Sequence, residues 1–200
     1  MNWNIVKGAC LALLPVAGTL KAQEKPNIVV ILADDLASNE MSCYGGKNLK
    51  TPNIDRIAEE GIRFTNNFAS CAMSVPIRAS LYTGLYPARH GSYQNHKISY
   101  SDIKSVTYYL PQAGYRVGRA GKTHTVPKSV FNFEKVPGFE ENCIAVTADY
   151  TVDGIRDFMR QDSPFCLFVC STLSHAPWTC GNKDEFDADK VILPPNGVEN

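Results

Sequence analysis

Residues 27–32 read Asn-Ile-Val-Val-Ile-Leu, a short, unbroken, β-branched run that stops at Ala33-Asp34-Asp35. A run this apolar and this short suits a strand covered on both faces of a parallel sheet. The rest of the chain alternates to match. Thr51-Pro52 opens a helix through Ile54, Ile57 and Ala58 that Gly61 closes. Pro76 to about Tyr82 is another helix, with proline in its first turn and Gly84 at its end. Lys104–Ala113 is helical and stopped by Gly114, and Tyr115–Ala120 follows as a strand. Asp149–Gln161 sets Val152, Ile155, Phe158 and Met159 at helical spacing, and Phe165–Val169 is a second nearly continuous apolar strand. Such alternation predicts an α/β fold with a mostly parallel (mixed) sheet flanked by helices.

The first residues read as an address. Met1–Lys7 carries one lysine and no acid, Gly8–Leu20 is largely apolar, and Ala22 offers a small residue for a signal peptidase. A buried N-terminal helix is the other reading, which Pro15 and the polar turn at Lys21–Pro26 oppose. A lipid-anchored Cys10 lacks an apolar run before it. A leader over 1–22 leaves 178 residues with 18 basic and 20 acidic side chains. That balance offers no electrostatic footprint for nucleic acid, and no apolar stretch is long enough to span a membrane. Export to the periplasm of a Gram-negative cell, by way of the export machinery, is the expected localisation. Cysteines in an exported chain permit disulfides, but Cys166 and Cys170 lie in an apolar run and read as small buried hydrophobes.

In open α/β sheets, ligands bind beyond the carboxyl ends of the strands. Asp34 and Asp35 follow the first strand, Lys122 and His124 follow the strand ending near Ala120, and Ser174 and His175 follow the strand ending near Val169. Lys122 and His124, two apart, would point to one side if extended. Each residue alone reads as a cap or a solvated charge; their joint placement favours a site. Adjacent carboxylates repel unless a cation sits between them, and hard oxygens suit Ca²⁺ or Mg²⁺, although Asp34-Asp35 alone is also a common helix cap. Ser74 opens a helix whose N–H groups favour an anion, with Arg78 one turn away on the same face. The alternative is an N-cap serine with a solvated arginine.

Ser74-x-Pro76-x-Arg78 followed by Ala79-x-Leu81-x-Thr83-Gly84 resembles the signature of the type I, formylglycine-dependent sulfatases, within the alkaline phosphatase-like superfamily. The likeness extends over most of the chain: Pro26–Asp35 for the first strand and metal pair, Tyr44-Gly45 and Thr51–Gly61 for the next loop and helix, Gly121-Lys122-Thr123-His124 for a Lys/His motif, and Ser174–Trp178 for a later histidine motif. Gly121–Pro127, Phe131, Phe133 and Ser174–Trp178 look most like the heparan N-sulfatase branch.

The resemblance implies hydrolysis of sulfate esters or N-sulfates on sulfated glycans. Ser74 would be oxidised by a radical maturase to Cα-formylglycine, whose hydrate is a geminal diol; one hydroxyl attacks sulfur and the other later expels sulfate. Asp34 and Asp35, with Ser74, would bind Ca²⁺. Arg78 would hold the diol, Lys122 would contact sulfate oxygens, His124 would orient the diol or take its proton, and His175 would protonate the leaving group. Ser74 stands where cysteine is commoner, Ile77 stands where serine is frequent, and Met73 leaves Cys71 without the required proline. The family's later Asp-Asn metal segment and further lysine find no counterpart in Trp178–Asn200. Residues 23–200 thus resemble the amino-terminal portion of a catalytic domain, expected to be nearly inactive alone. Two other readings stay open: a phosphoesterase using unmodified Ser74, and a sulfated-glycan binding protein without turnover.

Overall fold

The computed structural model describes residues 25–146, 150–179 and 188–193. Four strands, β1 (Ile28–Ala33), β2 (Arg116–Gly121), β3 (Glu134–Val136) and β4 (Phe165–Ser171), form one sheet in the order β1-β4-β2-β3. Every pairing is parallel, with Ile28 opposite Cys166, Arg116 opposite Phe165 and Gly118 opposite Glu134. Five helices accompany it: α1 (Pro52–Glu60), α2 (Ser74–Thr83), α3 (Pro87–His90), α4 (Val106–Gln112) and α5 (Asp153–Met159).

The strand buried on both faces is β4. On one side Cys166, Phe168 and Cys170 join Ala79, Tyr82, Val117, Val130, Phe131 and Phe133; on the other Phe165, Leu167 and Val169 join Ala120, Val136 and Phe158. The two cysteines are core residues, as their apolar run implied, and the five described cysteines are free thiols. The first strand departs from expectation. Its burial alternates, with Val29 and Ile31 on an outward face, because β1 is an edge of the described sheet and pairs only with β4 there.

Helix α2 is pinned by Tyr82, fully buried and set edge-on to Phe133 at 4.8 Å and Phe168 at 5.1 Å. Burying a side chain of this size stabilises by about 2 kcal/mol from area alone. Gly84 ends the helix in the left-handed conformation, donating its N–H to Ser80. Other boundaries moved for local reasons. Helix α4 starts at Val106 because Ser105 caps it, accepting from the Thr107 N–H. Helix α5 starts at Asp153 because the Thr151 N–H is bound to the Gly138 carbonyl; Asp149 lies outside the described residues. Two elements went unread, α3 and β3, both too short to show a period. The leader expected over 1–22 and the loop at 194–200 also lie outside the described residues. No helix among those described is long and apolar enough to cross a membrane.

Candidate active site

Parallel pairing brings the ends of β1, β2 and β4 to one edge, and the chemistry collects there. Asp34 is buried, and its backbone is tied to the end of β4 through its N–H to Ser171 O (3.0 Å) and to the loop after it through its carbonyl, which accepts from Ser174 Oγ (2.6 Å). Its carboxylate takes Arg78 Nη2 at 3.0 Å on Oδ1 and Lys122 Nζ on Oδ2. Burial alone would push this carboxyl up, but the hydrogen bonds from Lys122 and Arg78 outweigh it and hold it below the ordinary carboxylate range. Asp35 has a left-handed backbone (φ 60°), and its side chain is exposed.

Ser74 is the first residue of α2, and its Oγ meets two partners: Arg78 Nε at 3.3 Å and His124 Nδ1 at 3.0 Å. Arginine can only donate, so the serine's own hydrogen is free to go to the imidazole. Burial, and then the positive charges of Lys122 and neighbouring groups, lowers the His124 pKa, which favours the neutral, proton-accepting ring. Arg78 stays charged although burial opposes it, with Asp34 as its ion partner. Its Nη1 is buried and finds no partner among the described residues, a donor suited to an oxyanion.

His175 stands beside the acidic pair, its Nε2 3.6 Å from Asp35 Oδ2 and 3.9 Å from Asp34 Oδ2, while Nδ1 donates to Ala176 O at 2.7 Å. Asp34, Asp35 and His175 each offer one ligand atom within 4.8 Å of the others, a group able to hold a divalent cation. Two carboxylates suit a hard ion but supply only part of the six to eight oxygens calcium takes.

All seven residues singled out in the sequence therefore meet at this edge, with two differences in how. Lys122 is fully buried with its ammonium on Asp34, so it balances that carboxylate rather than facing an open cavity. Lys122 and His124 do not lie on an extended stretch; His124 is left-handed (φ 42°), and that turn is what carries its ring to Ser74. Sequence reasoning missed Asn95 and His96. The Val75 N–H, in the first turn of α2, donates to Asn95 Oδ1 at 3.0 Å, replacing the cap that Met73 cannot supply. The His96 ring packs against His124. Gln94-Asn95-His96-Lys97 has no spacing that ties it to Ser74, so only the fold could find it.

A model of the sulfatase family matches residues 26–190. The chain belongs to the sulfatase family. It is 38% identical over 161 residues to an ulvan-active sulfatase of Formosa agariphila, covering 78% of this chain and 31% of that protein. It is 34% identical over 185 residues to the human N-sulphoglucosamine sulphohydrolase, covering 87% of this chain and 36% of that one. A protein whose structure was solved in complex with its substrate, D-glucosamine-2-N,6-O-disulfate, matches with TM-score 0.65 and 32% identity over 78% of this chain and 36% of its own. A phosphonate monoester hydrolase of Agrobacterium radiobacter shares the fold, with TM-score 0.65 and 24% identity over 80% of this chain and 43% of that one. The chain spans about a third of the length of the curated relatives it matches.

Proposed function

We propose that the protein removes sulfate from sulfated glycans, with Ser74 oxidised to Cα-formylglycine as the nucleophile. The observation that carries this reading is the Ser74 Oγ at the start of α2, 3.0 Å from His124 Nδ1 and 3.3 Å from Arg78 Nε. Oxidised and hydrated, Ser74 supplies one hydroxyl to attack sulfur and a second whose deprotonation later releases sulfate. His124, neutral, takes the proton. Arg78 stabilises the developing oxyanion, and its Nη1, without a partner among the described residues, suits a sulfate oxygen. Asp34 and Asp35, beside which the structure groups His175, would hold Ca²⁺ with the hydrated Ser74 as a further oxygen ligand, and the ion when bound polarises the sulfate oxygens. Lys122 neutralises the buried Asp34, and His175, facing both carboxylates, is the candidate acid for the leaving group.

Sulfated glucosamine units are the proposed substrate class. The names of the relatives support it: the human sulphohydrolase, and an N-acetylglucosamine-6-O-sulfatase of Bacteroides thetaiotaomicron that is 33% identical. The apolar run before Ala22 supports export to a periplasm, with the export machinery and a radical maturase as transient partners.

The test is the mass of the Ser74 peptide from protein isolated from its native host, with an aldehyde-reactive probe. A peptide lighter by two hydrogens, together with sulfate release from sulfated glucosamine, is expected. An unmodified serine overturns the mechanism and favours the phosphoesterase, for which the Arg78 and His124 contacts already prepare an unmodified hydroxyl.

A further inference from the structure

Between Gly91 and Tyr100 the chain leaves α3, passes the start of α2 and returns. The base of this loop is sealed. Ser92 Oγ bonds Ser99 Oγ at 2.7 Å and donates to Lys97 O at 3.0 Å, both serines buried. The Tyr100 N–H donates to His90 O, and the Ser99 N–H donates to Val126 O, two residues beyond His124. The tip, Tyr93–Lys97, is exposed.

Two contacts aim that tip at the nucleophile. Asn95 Oδ1 accepts from the Val75 N–H, the residue next to Ser74. His96, held left-handed (φ 64°), sets its ring edge-on to His124, centroids 5.5 Å apart, and His124 is the ring on Ser74 Oγ. Lys97 Nζ stands 5.7 Å over the Tyr93 ring, so the tip offers an aromatic face, an imidazole and a cation together.

We infer that His96 binds substrate, contacting the sugar that carries the scissile sulfate, in a subsite formed by the Tyr93–Lys97 tip. The inference rests on the glycan-sulfatase reading above. Asp34, Arg78 and Lys122 are buried and bonded to one another, with Arg78 against Ser74 Oγ, so none of them is exposed to meet a sugar ring. His96 is exposed, yet only one ring removed from the nucleophile. A side chain so placed meets what the sulfate is attached to. An imidazole beside an ammonium and an aromatic face suits a sugar with hydroxyl and acidic substituents.

The test is equilibrium binding by calorimetry to the protein from its native host, in a Ser74→Ala background that blocks turnover. The probes are D-glucosamine-2-N,6-O-disulfate and inorganic sulfate. His96→Ala is expected to weaken the disulfated sugar about tenfold, while inorganic sulfate changes less than about twofold. His96→Gln, which keeps a donor and an acceptor, is expected to recover most of the loss. Equal weakening of both probes, an unchanged sugar affinity, or no sugar binding by the Ser74→Ala parent overturns the inference. If the wild-type protein releases no sulfate yet the selective loss on His96→Ala remains, the sulfatase reading fails and the assignment of His96 stands.

Discussion

Asp34 joins two buried cations, Arg78 on one oxygen and Lys122 on the other, and everything around the nucleophile leans on that arrangement. Asp34→Asn would leave both cations buried without an ionised partner, a loss of about 3–5 kcal/mol that thermal or denaturant unfolding would register. The native carboxyl lies below its ordinary value of 3.8, so its contribution is complete above that pH and disappears as pH falls through the lower native value. The asparagine variant should lack this acid limb. In the proposed mechanism His124 has the opposite chemical task, since it must be neutral to accept a proton. Burial and its cationic neighbours lower its pKa, so kcat/KM should hold through neutral pH and decline only below the ordinary histidine value of 6.5. His124→Ala should reduce kcat by about 10²–10⁴-fold with a smaller change in KM.

At the scale of elements, the end of β2 decides where Lys122 and His124 go. Gly121 is left-handed (φ 83°), and a Cβ there would stand 2.1 Å from the Cys170 carbonyl oxygen of β4. Glycine lets the two backbones close, so that the Lys122 N–H still reaches Cys170 O at 3.1 Å. Gly121→Ala must push the strands apart at the point where the ion pair forms. It should cost at least about 2 kcal/mol in unfolding experiments and remove most sulfate release, while Gly45→Ala, with open space at its Cβ, costs less. Helix α2 shows the complementary case. Pro76 in its first turn and Gly84 at its end were legible, because proline and glycine act through their own backbones. Its cap was not, because the acceptor is Asn95, twenty residues downstream.

Across the molecule, His90 ties the nucleophile helix to the loop that borders the site. Fully buried, its Nδ1 accepts from the Ser92 N–H at 3.1 Å, which leaves Nε2 to donate to Ser80 Oγ on α2, also at 3.1 Å. Protonation would turn Nδ1 into a donor facing another donor, and burial already lowers the pKa. Stability from the neutral ring is therefore complete above the ordinary value of 6.5 and declines as pH falls below it. Melting temperatures measured from pH 7.5 down to pH 5 should fall in the wild-type protein. They should fall less steeply in His90→Gln, which starts from a lower stability.

The strands β1, β2 and β4, the parallel sheet and the seven residues at its edge could all be read from the chain. Apolar runs, helix punctuation and strand-end positions are local properties, and parallel pairing converts them into a shared edge. What faces what is not local. That β4 rather than β1 is covered on both sides depends on strand order, and that Lys122 meets Asp34 depends on β2 and β1 flanking β4. Asn95 and His96 reach Val75 and His124 only because a loop with no period of its own is sealed at Ser92 and Ser99. Side-chain pairing across twenty to ninety residues has no signature in spacing; it exists only once the core has fixed where each backbone runs.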